Sequence, residues 1–293
     1  MRQQNPPPTL PRTKGFTLIE LVITILISSI LAVGIISYIG DAVNGFVSSG
    51  SRNKLASSGR VVVDRLALEL HNAVPNSVRV SSPNLTNGNQ CLEFIPFIGA
   101  TNYLDAPFSS AGSSISAVTF NPSILMSTPA GVYAAIYPID TDDLYTAADP
   151  GPLTAVDAIT TASGGRVTLN LDLAATVPVE AHRFSRRSPV DRLYLATQPV
   201  SFCIVEDKLF RYENYGFNTS QCLPAGQGGP CDLPSTSPNR ALVSDSIDNT
   251  SLTAFVVVAQ SLRRNALVSV DFNFTDEFDE IRLKHEVLLR NVP

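Results

Sequence analysis

At 293 residues with a net charge of −5, the chain has room for one large domain or two small ones, and it lacks the basic excess that a nucleic-acid partner selects. Its hydrophobic fraction of 44% is ordinary, but the apolar residues are unevenly spread: residues 16–40 carry a single charge, Glu20, while the rest is rich in Ser, Thr, Pro, Asn and Gly. That is the pattern of a membrane segment joined to a mainly β soluble body.

Residues 1–15 are polar, with Pro6, Pro7, Pro8 and Pro11 and the positive charges Arg2, Arg12 and Lys14, which no acid offsets. A positive flank beside an apolar run stays cytoplasmic, so the body is translocated. A secretory signal peptide fits poorly, because its apolar region is typically about 7–15 residues and no A-x-A site follows Tyr38. A plain signal anchor explains the length and the orientation. It leaves Glu20 unexplained, since a carboxylate in lipid costs roughly 3 kcal/mol and usually has a partner.

The string Lys14-Gly15-Phe16-Thr17-Leu18-Ile19-Glu20-Leu21-Val22 resembles the type IV prepilin processing motif. The resemblance implies cleavage between Gly15 and Phe16 by a membrane aspartyl peptidase, then N-methylation of Phe16. Gly15 suits such a site because it has no side chain to obstruct close approach. It also implies a partner for Glu20 in assembly, the positive N-terminal amine of a neighbouring subunit. That pairing offsets the burial of both charges and fixes axial register.

After Gly40 the pattern turns amphipathic. Val43, Phe46 and Val47 are followed by Leu55, Val62, Leu66, Leu70 and Val74 at largely helical spacing, with Ser58, Arg65, Glu69 and Asn72 on the other face. Pro75 ends the pattern. Residues 16–74 therefore predict one helix of roughly 88 Å at ~1.5 Å per residue. Gly34, Gly40, Gly45 and Gly50 soften this helix and predict bending or melting near 40–53.

Beyond Pro75 the chain reads as short strands between Pro, Gly and Asn turns. The expected strands are Ser77–Ser81, Cys91–Ile95, Ile115–Phe120, Val132–Tyr137, Arg166–Leu171, Arg192–Ala196, Val200–Glu206, Lys208–Glu213, Thr253–Ala259, Leu267–Phe274 and Ile281–Leu289. The pair around Asp207 reads as a tight hairpin, and Leu267–Phe274 alternates as a half-buried antiparallel strand does. Long loops are expected near 97–114, 138–165 and 214–250. The cysteines, Cys91, Cys203, Cys222 and Cys231, form no CxxC pair, which argues against zinc and for disulfides in an oxidising compartment. Cys222 and Cys231 bracket a Pro/Gly-rich loop and suggest a local bridge; a Cys91–Cys203 bridge between strands is its complement. Three connectivities remain open at this stage.

Gly59–Leu66, Glu69-Leu70 and Asn72–Val80 resemble the helix-to-head junction of the MshO-like minor pilins of the mannose-sensitive haemagglutinin (MSHA) pilus system. Val200–Cys203, Leu209–Tyr212 and the closing His285–Pro293 resemble the same family; the intervening loops do not. The resemblance implies an α+β, type IV pilin-like fold, with a long helix packed on an antiparallel β-rich head. Its parts would be a leader at 1–15, a transmembrane half at 16–40, an amphipathic half at 41–74 and a head at 75–293.

No P-loop, G-x-S-x-G elbow, H-E-x-x-H or dinucleotide fingerprint is present. His71, His182 and His285 read as surface or structural residues, and Arg183, Arg186 and Arg187 as a solvated loop. Two acidic clusters, Asp140, Asp142 and Asp143, and Asp276, Glu277, Asp279 and Glu280, raise calcium as the one metal to consider. Neither has the spaced ligands of an EF-hand, so each reads as a solvated turn and no cofactor is expected. The expected role is a non-enzymatic minor pilin acting in initiation or at the tip of an MSHA-type pilus. The alternatives are a tip adhesin and a J-like pseudopilin of type II secretion. Expected partners are other major and minor pilins, the prepilin peptidase, the inner-membrane assembly platform and membrane lipid. The expected location is the inner membrane, as a single-pass precursor with a periplasmic head, and then the pilus.

Overall fold

The computed structural model describes residues 15–121, 123–124, 131–146, 148–171, 181–258 and 265–289. The basic leader expected at 1–15 lies outside them except for Gly15. Two compact units divide the chain, Met1–Ser51 and Arg52–Pro293.

Helix α1 runs from Leu18 to His71. The melting expected near 40–53 does not occur; every residue there is helical. An isolated glycine costs only about 1 kcal/mol relative to alanine, and no proline lies between Arg12 and Val74 to remove a helical donor. In its first part, Thr24 and Ser29 turn their hydroxyls onto the carbonyls of Leu21 and Leu26. Polar side chains in an apolar run are thereby satisfied within the helix itself. The helix stops three residues before the expected end because residues 72–74 pair elsewhere. Val74 N–H donates to the Ile95 carbonyl, and Phe97 N–H to that of Asn72.

The head elements follow as β1 (Arg79–Val80), β2 (Gln90–Phe94), β3 (Phe97–Asp105), β4 (Ser114–Val118), β5 (Tyr133–Ala135), α2 (Thr141–Tyr145), β6 (Leu153–Ala162), β7 (Arg166–Leu171) and β8 (Arg192–Ala196). Next come β9 (Val200–Val205), β10 (Lys208–Tyr212), β11 (Arg240–Ser244), β12 (Phe255–Val258), β13 (Leu267–Thr275) and β14 (Glu280–Leu288). They form a five-stranded sheet in the order β1-β2-β9-β10-β11, a three-stranded sheet β12-β13-β14, and a closed barrel β3-β4-β7-β6-β5-β8. All named pairings are antiparallel.

Leu55, Val62, Val63, Leu66, Ala67 and Leu70 give α1 one buried face from residue 55 onward. It packs on Leu92 and Phe94 of β2, Phe202 and Ile204 of β9, and the inward set of β13, Val268, Val270, Phe272 and Phe274. Burying each large side chain contributes about 1.5–3 kcal/mol, so this core joins the helix to both sheets. The sheets are also stitched by one side chain. Gln90 on β2 donates through Nε2 to the Phe255 carbonyl at 2.9 Å and accepts from Phe255 N–H at 2.9 Å. Its amide thus occupies the place of a strand residue beside β12.

Gly59 sets how closely the helix approaches. A Cβ there would lie 2.7 Å from Leu283 Cδ1 and 2.8 Å from Phe274 Cε2. Leu283 ends a flexible side chain, but the Phe274 ring is fully buried against Phe272. Gly59→Val is therefore expected to destabilise the head by about 1–3 kcal/mol through overpacking, despite valine's better helix propensity. Denaturant midpoints of the two proteins check this, and an unchanged or raised midpoint refutes the close approach.

The barrel is the element that corrects the sequence reading. Residues 97–114 and 138–165, expected as loops, contain β3, α2 and β6. Ile115, Ala117, Ala134, Ile159, Val167, Leu169, Leu193 and Leu195 fill its interior. It leaves the five-stranded sheet after β2 and returns at β9, two strands paired directly with Phe94 opposite Val200. The whole barrel thus stands where a hairpin turn would suffice. Likewise β11 lies inside the loop expected at 214–250.

Candidate processing and assembly site

Gly15, Phe16 and Thr17 precede the helix. Thr17 is its N-cap. Its carbonyl accepts from Leu21 N–H at 3.2 Å, and its hydroxyl oxygen accepts a long bond from Glu20 N–H at 3.4 Å. The Glu20 carboxylate reaches back to the same hydroxyl at 3.5 Å. Thr17-x-x-Glu20 is a capping-box spacing, a helix-start signal that lies within the processing motif. Glu20 also sits in the first turn, where the helix dipole favours an anion.

Around these polar groups everything apolar is outward. Phe16 is 73% exposed and Leu18 83%, and the same holds along the helix through Ile39 and Val43 to Phe46. An 18-residue window of α1 has a mean hydropathy of 2.6 and none of it is buried. By length and composition this helix is able to cross a membrane. Among the described residues no cation pairs with Glu20. Nothing lies within 4 Å of the place a Cβ would take on Gly15, so the bond that follows it is sterically open.

Of the three cysteine connectivities, the structure holds Cys91–Cys203 and Cys222–Cys231. Cys91 and Cys203 are register partners on β2 and β9. Their bond therefore crosses the base of the inserted barrel. Cys222–Cys231 closes the Pro/Gly loop.

The remaining candidate residues are occupied structurally. His71 Nδ1 lies 2.6 Å from the Ala67 carbonyl, inside its own helix. His182 is buried between Asp149 and the Gly151 carbonyl, edge-on to Phe184, and burial lowers its pKa. His285 is exposed on β14. Arg187 stacks over Phe108. Asp140 caps α2 by accepting from Asp142 N–H. Asp276 accepts from Phe278 and Asp279 N–H in the β13–β14 turn. Among the described residues no three His, Cys, Asp or Glu side chains are grouped to hold a metal ion.

One buried charge was not foreseen. Glu93 on β2 has no exposed side-chain surface, and it accepts from Arg79 Nε at 2.6 Å and Tyr215 O–H at 3.0 Å. Arg79 also donates to the carbonyls of Asn218 and Thr219 and stacks on Tyr145. The group clamps the 214–222 segment to the sheet. Desolvation raises the Glu93 pKa against the pull of Arg79. The folded head thus takes up this proton before the unfolded chain does. The contribution of Glu93 to stability improves as pH falls through its raised value towards the unfolded value of about 4.3. A stability–pH profile of Glu93→Gln is expected to lack that rise, and equal slopes in both proteins above about pH 4.3 refute the assignment.

The family profile described as Prokaryotic N-terminal methylation motif matches residues 10–36. No curated protein and no solved structure matched the chain. The match spans the Gly15–Phe16 bond, Thr17 and Glu20; a motif of this kind marks a prepilin peptidase substrate and implies assembly with other pilins. With that signal at the start of a long apolar helix and an antiparallel β-rich head behind it, the chain is type IV pilin-like, and signal and helix together fit a membrane-anchored subunit of a pilin-like or pseudopilin-like kind.

Proposed function

We propose that the chain is a non-enzymatic minor pilin that takes part in initiation or tip assembly of an MSHA-type pilus. The observation that carries this reading is the inserted barrel. A shaft subunit must repeat around a crowded helical filament, whereas a head enlarged by a six-stranded barrel suits a position with fewer neighbours. Cleavage falls between Gly15 and Phe16, Phe16 is methylated, and Glu20 receives the N-terminal amine of an adjacent subunit. The precursor spans the inner membrane with its head in the periplasm before the assembly platform takes it into the filament. The resemblance of the 59–80 junction favours the MSHA system over a J-like pseudopilin, and the neighbouring genes would discriminate the two. A tip adhesin is the second reading, favoured by the disulfide-closed loop at 222–231 on the head surface.

The test is intact mass and N-terminal sequencing of the protein from cells with and without prepilin peptidase. A chain starting at N-methyl-Phe16 only when the peptidase is present supports the pilin class. Immunogold labelling then separates the positions: label confined to filament ends supports the minor-pilin role, and label along the shaft overturns it.

A further inference from the structure

Strand β14 is the outer strand of the sheet β12-β13-β14 and runs 9 residues without a proline, a glycine or a shift of register. The phase of its ladder is fixed at both ends. Asp276 N–H donates to the Asp279 carbonyl and Leu289 N–H to that of Ala266, so the odd-numbered residues of β14 exchange bonds with β13. The N–H and C=O groups of Arg282, Lys284, Glu286 and Leu288 therefore turn to the free edge, and nothing among the described residues pairs with them there. The side chains of these four are exposed on the outer face. Ile281, Leu283, Val287 and Leu289 turn towards the core under α1, and Ile281 and Leu283 are only half covered. A long regular edge is a template for another strand, and charges along it ordinarily act as a guard. Their order along β14 decides which strand the edge admits.

For a second copy of β14 that order can be read residue by residue. Antiparallel self-pairing has a two-fold axis through one residue, and opposite side chains share a face. Centred on Leu283, it sets Arg282 against Lys284 and Glu280 against Glu286. Centred on Arg282, Lys284 or Glu286, it sets that charge against its own copy. Centred on His285, it sets Lys284 opposite Glu286 twice, Leu283 opposite Val287 twice and Ile281 opposite Leu289 twice. Arg282 then faces Leu288, with its own charge already held by both Asp271 oxygens at 2.7 Å. Lys284 and Glu286 have no ion-pair partner among the described residues. We propose that β14 pairs edge to edge with β14 of a second copy, antiparallel and centred on His285, so that the three-stranded sheet continues across both heads. The charges that guard the edge against other registers select this one. Arg52 lies beside Asp279 and Gly59 beside Leu283, so the packed part of α1 runs alongside β14 in the same direction. The pairing therefore sets the two packed helix segments antiparallel, a contact between facing heads and not between heads anchored side by side. The inference does not use the pilin reading.

The experiment is sedimentation of the full-length protein in a zwitterionic detergent over a concentration series. The wild type is expected to form a dimer. Lys284→Glu and Glu286→Lys each place like charges opposite one another and weaken the dimer at least tenfold. The double variant Lys284→Glu/Glu286→Lys restores it, and so does a one-to-one mixture of the two single variants, because each then meets the opposite sign. Both positions are exposed, so circular dichroism is expected to show every variant folded. His285→Cys reports the register: mild oxidation joins two copies at that position, which only this axis brings against itself. A wild type that stays monomeric at about 100 µM, a dimer indifferent to both single reversals, or a loss that neither the double variant nor the mixture repairs overturns the proposal. Copies held together only through their apolar helices give the second of these results.

Discussion

Gly15→Leu leaves the chain at its full 293 residues, whereas Glu20→Val is cut normally and fails to enter filaments. The first expectation follows from access. The peptidase must close on extended backbone at Gly15, where the site is now open on the side a Cβ would occupy, and leucine fills that space. The second follows from charge. Valine removes an acid that costs roughly 3 kcal/mol in the bilayer, so Glu20→Val inserts into the membrane at least as well as the wild type. A loss of assembly in a better-inserted variant cannot come from poor anchoring. It reflects the incoming amine left without a partner in low dielectric, a penalty of about 3–5 kcal/mol, or a hundredfold or more in incorporation. The competing role for Glu20 is its own helix cap. Thr17→Ala separates the two, because it removes the hydroxyl that Glu20 N–H uses at a cost of only about 0.5–2 kcal/mol and leaves the carboxylate in place. Intact mass reports cleavage, and blotting of sheared filaments reports incorporation. Glu20→Val in filaments at wild-type level, or Thr17→Ala as defective as Glu20→Val, would sink the proposed amine pairing.

The parts of this molecule that were legible in its sequence are those whose cause is local. The Gly15–Glu20 string, the 3.6-residue spacing of Leu55, Val62, Leu66 and Leu70, and the alternation of Val268, Val270, Phe272 and Phe274 each act within one element. The hairpin at Asp207 is also local: Val205 pairs with Lys208, and Glu206 adopts a left-handed φ of 58°. What remained hidden depends on residues far apart in the chain. Strand β3 begins after Pro96, carries Gly99 and Asn102, and buries only Thr101 and Tyr103 fully, so it has no clear alternation of its own. Strand β6 is built of Ala and Thr around Val156 and Ile159, and β5 spans only Tyr133–Ala135. They become strands because β8 and β7 stand beside them. The close approach at Gly59 has no signal in the helix itself; only its neighbours Phe274 and Leu283, more than 200 positions away, reveal the contact. Thr17-x-x-Glu20 is the opposite case, a local signal overlooked because the processing motif covers the same residues.

Loss of the Cys91–Cys203 bond is expected to destabilise the head about twice as much as loss of Cys222–Cys231. The bonds close loops with sequence separations of 112 and 9 residues, for which chain entropy assigns about 4.8 and about 2.6 kcal/mol. The paired double-alanine variants avoid placing a hydroxyl at Cys91 and Cys203, both fully buried. The larger figure matters against a total stability of about 5–15 kcal/mol, and topology explains why it is concentrated there. Every described strand between β2 and β9 belongs to the barrel, so in the unfolded chain without the bond two strands of the central sheet must find each other across a long insertion. With the bond in place, the barrel's two ends are held together whether or not it has folded, and the surface for α1 is assembled independently of it. Under the proposed role this is the arrangement a pilin head needs, because the helix-packing half must be ready for assembly while the insertion supplies the bulk. Urea unfolding of the oxidised wild type and both double variants measures the difference. Equal losses, or a larger loss from the short loop, would mean that the insertion is held by β2–β9 pairing alone and that the buried disulfide adds little to it.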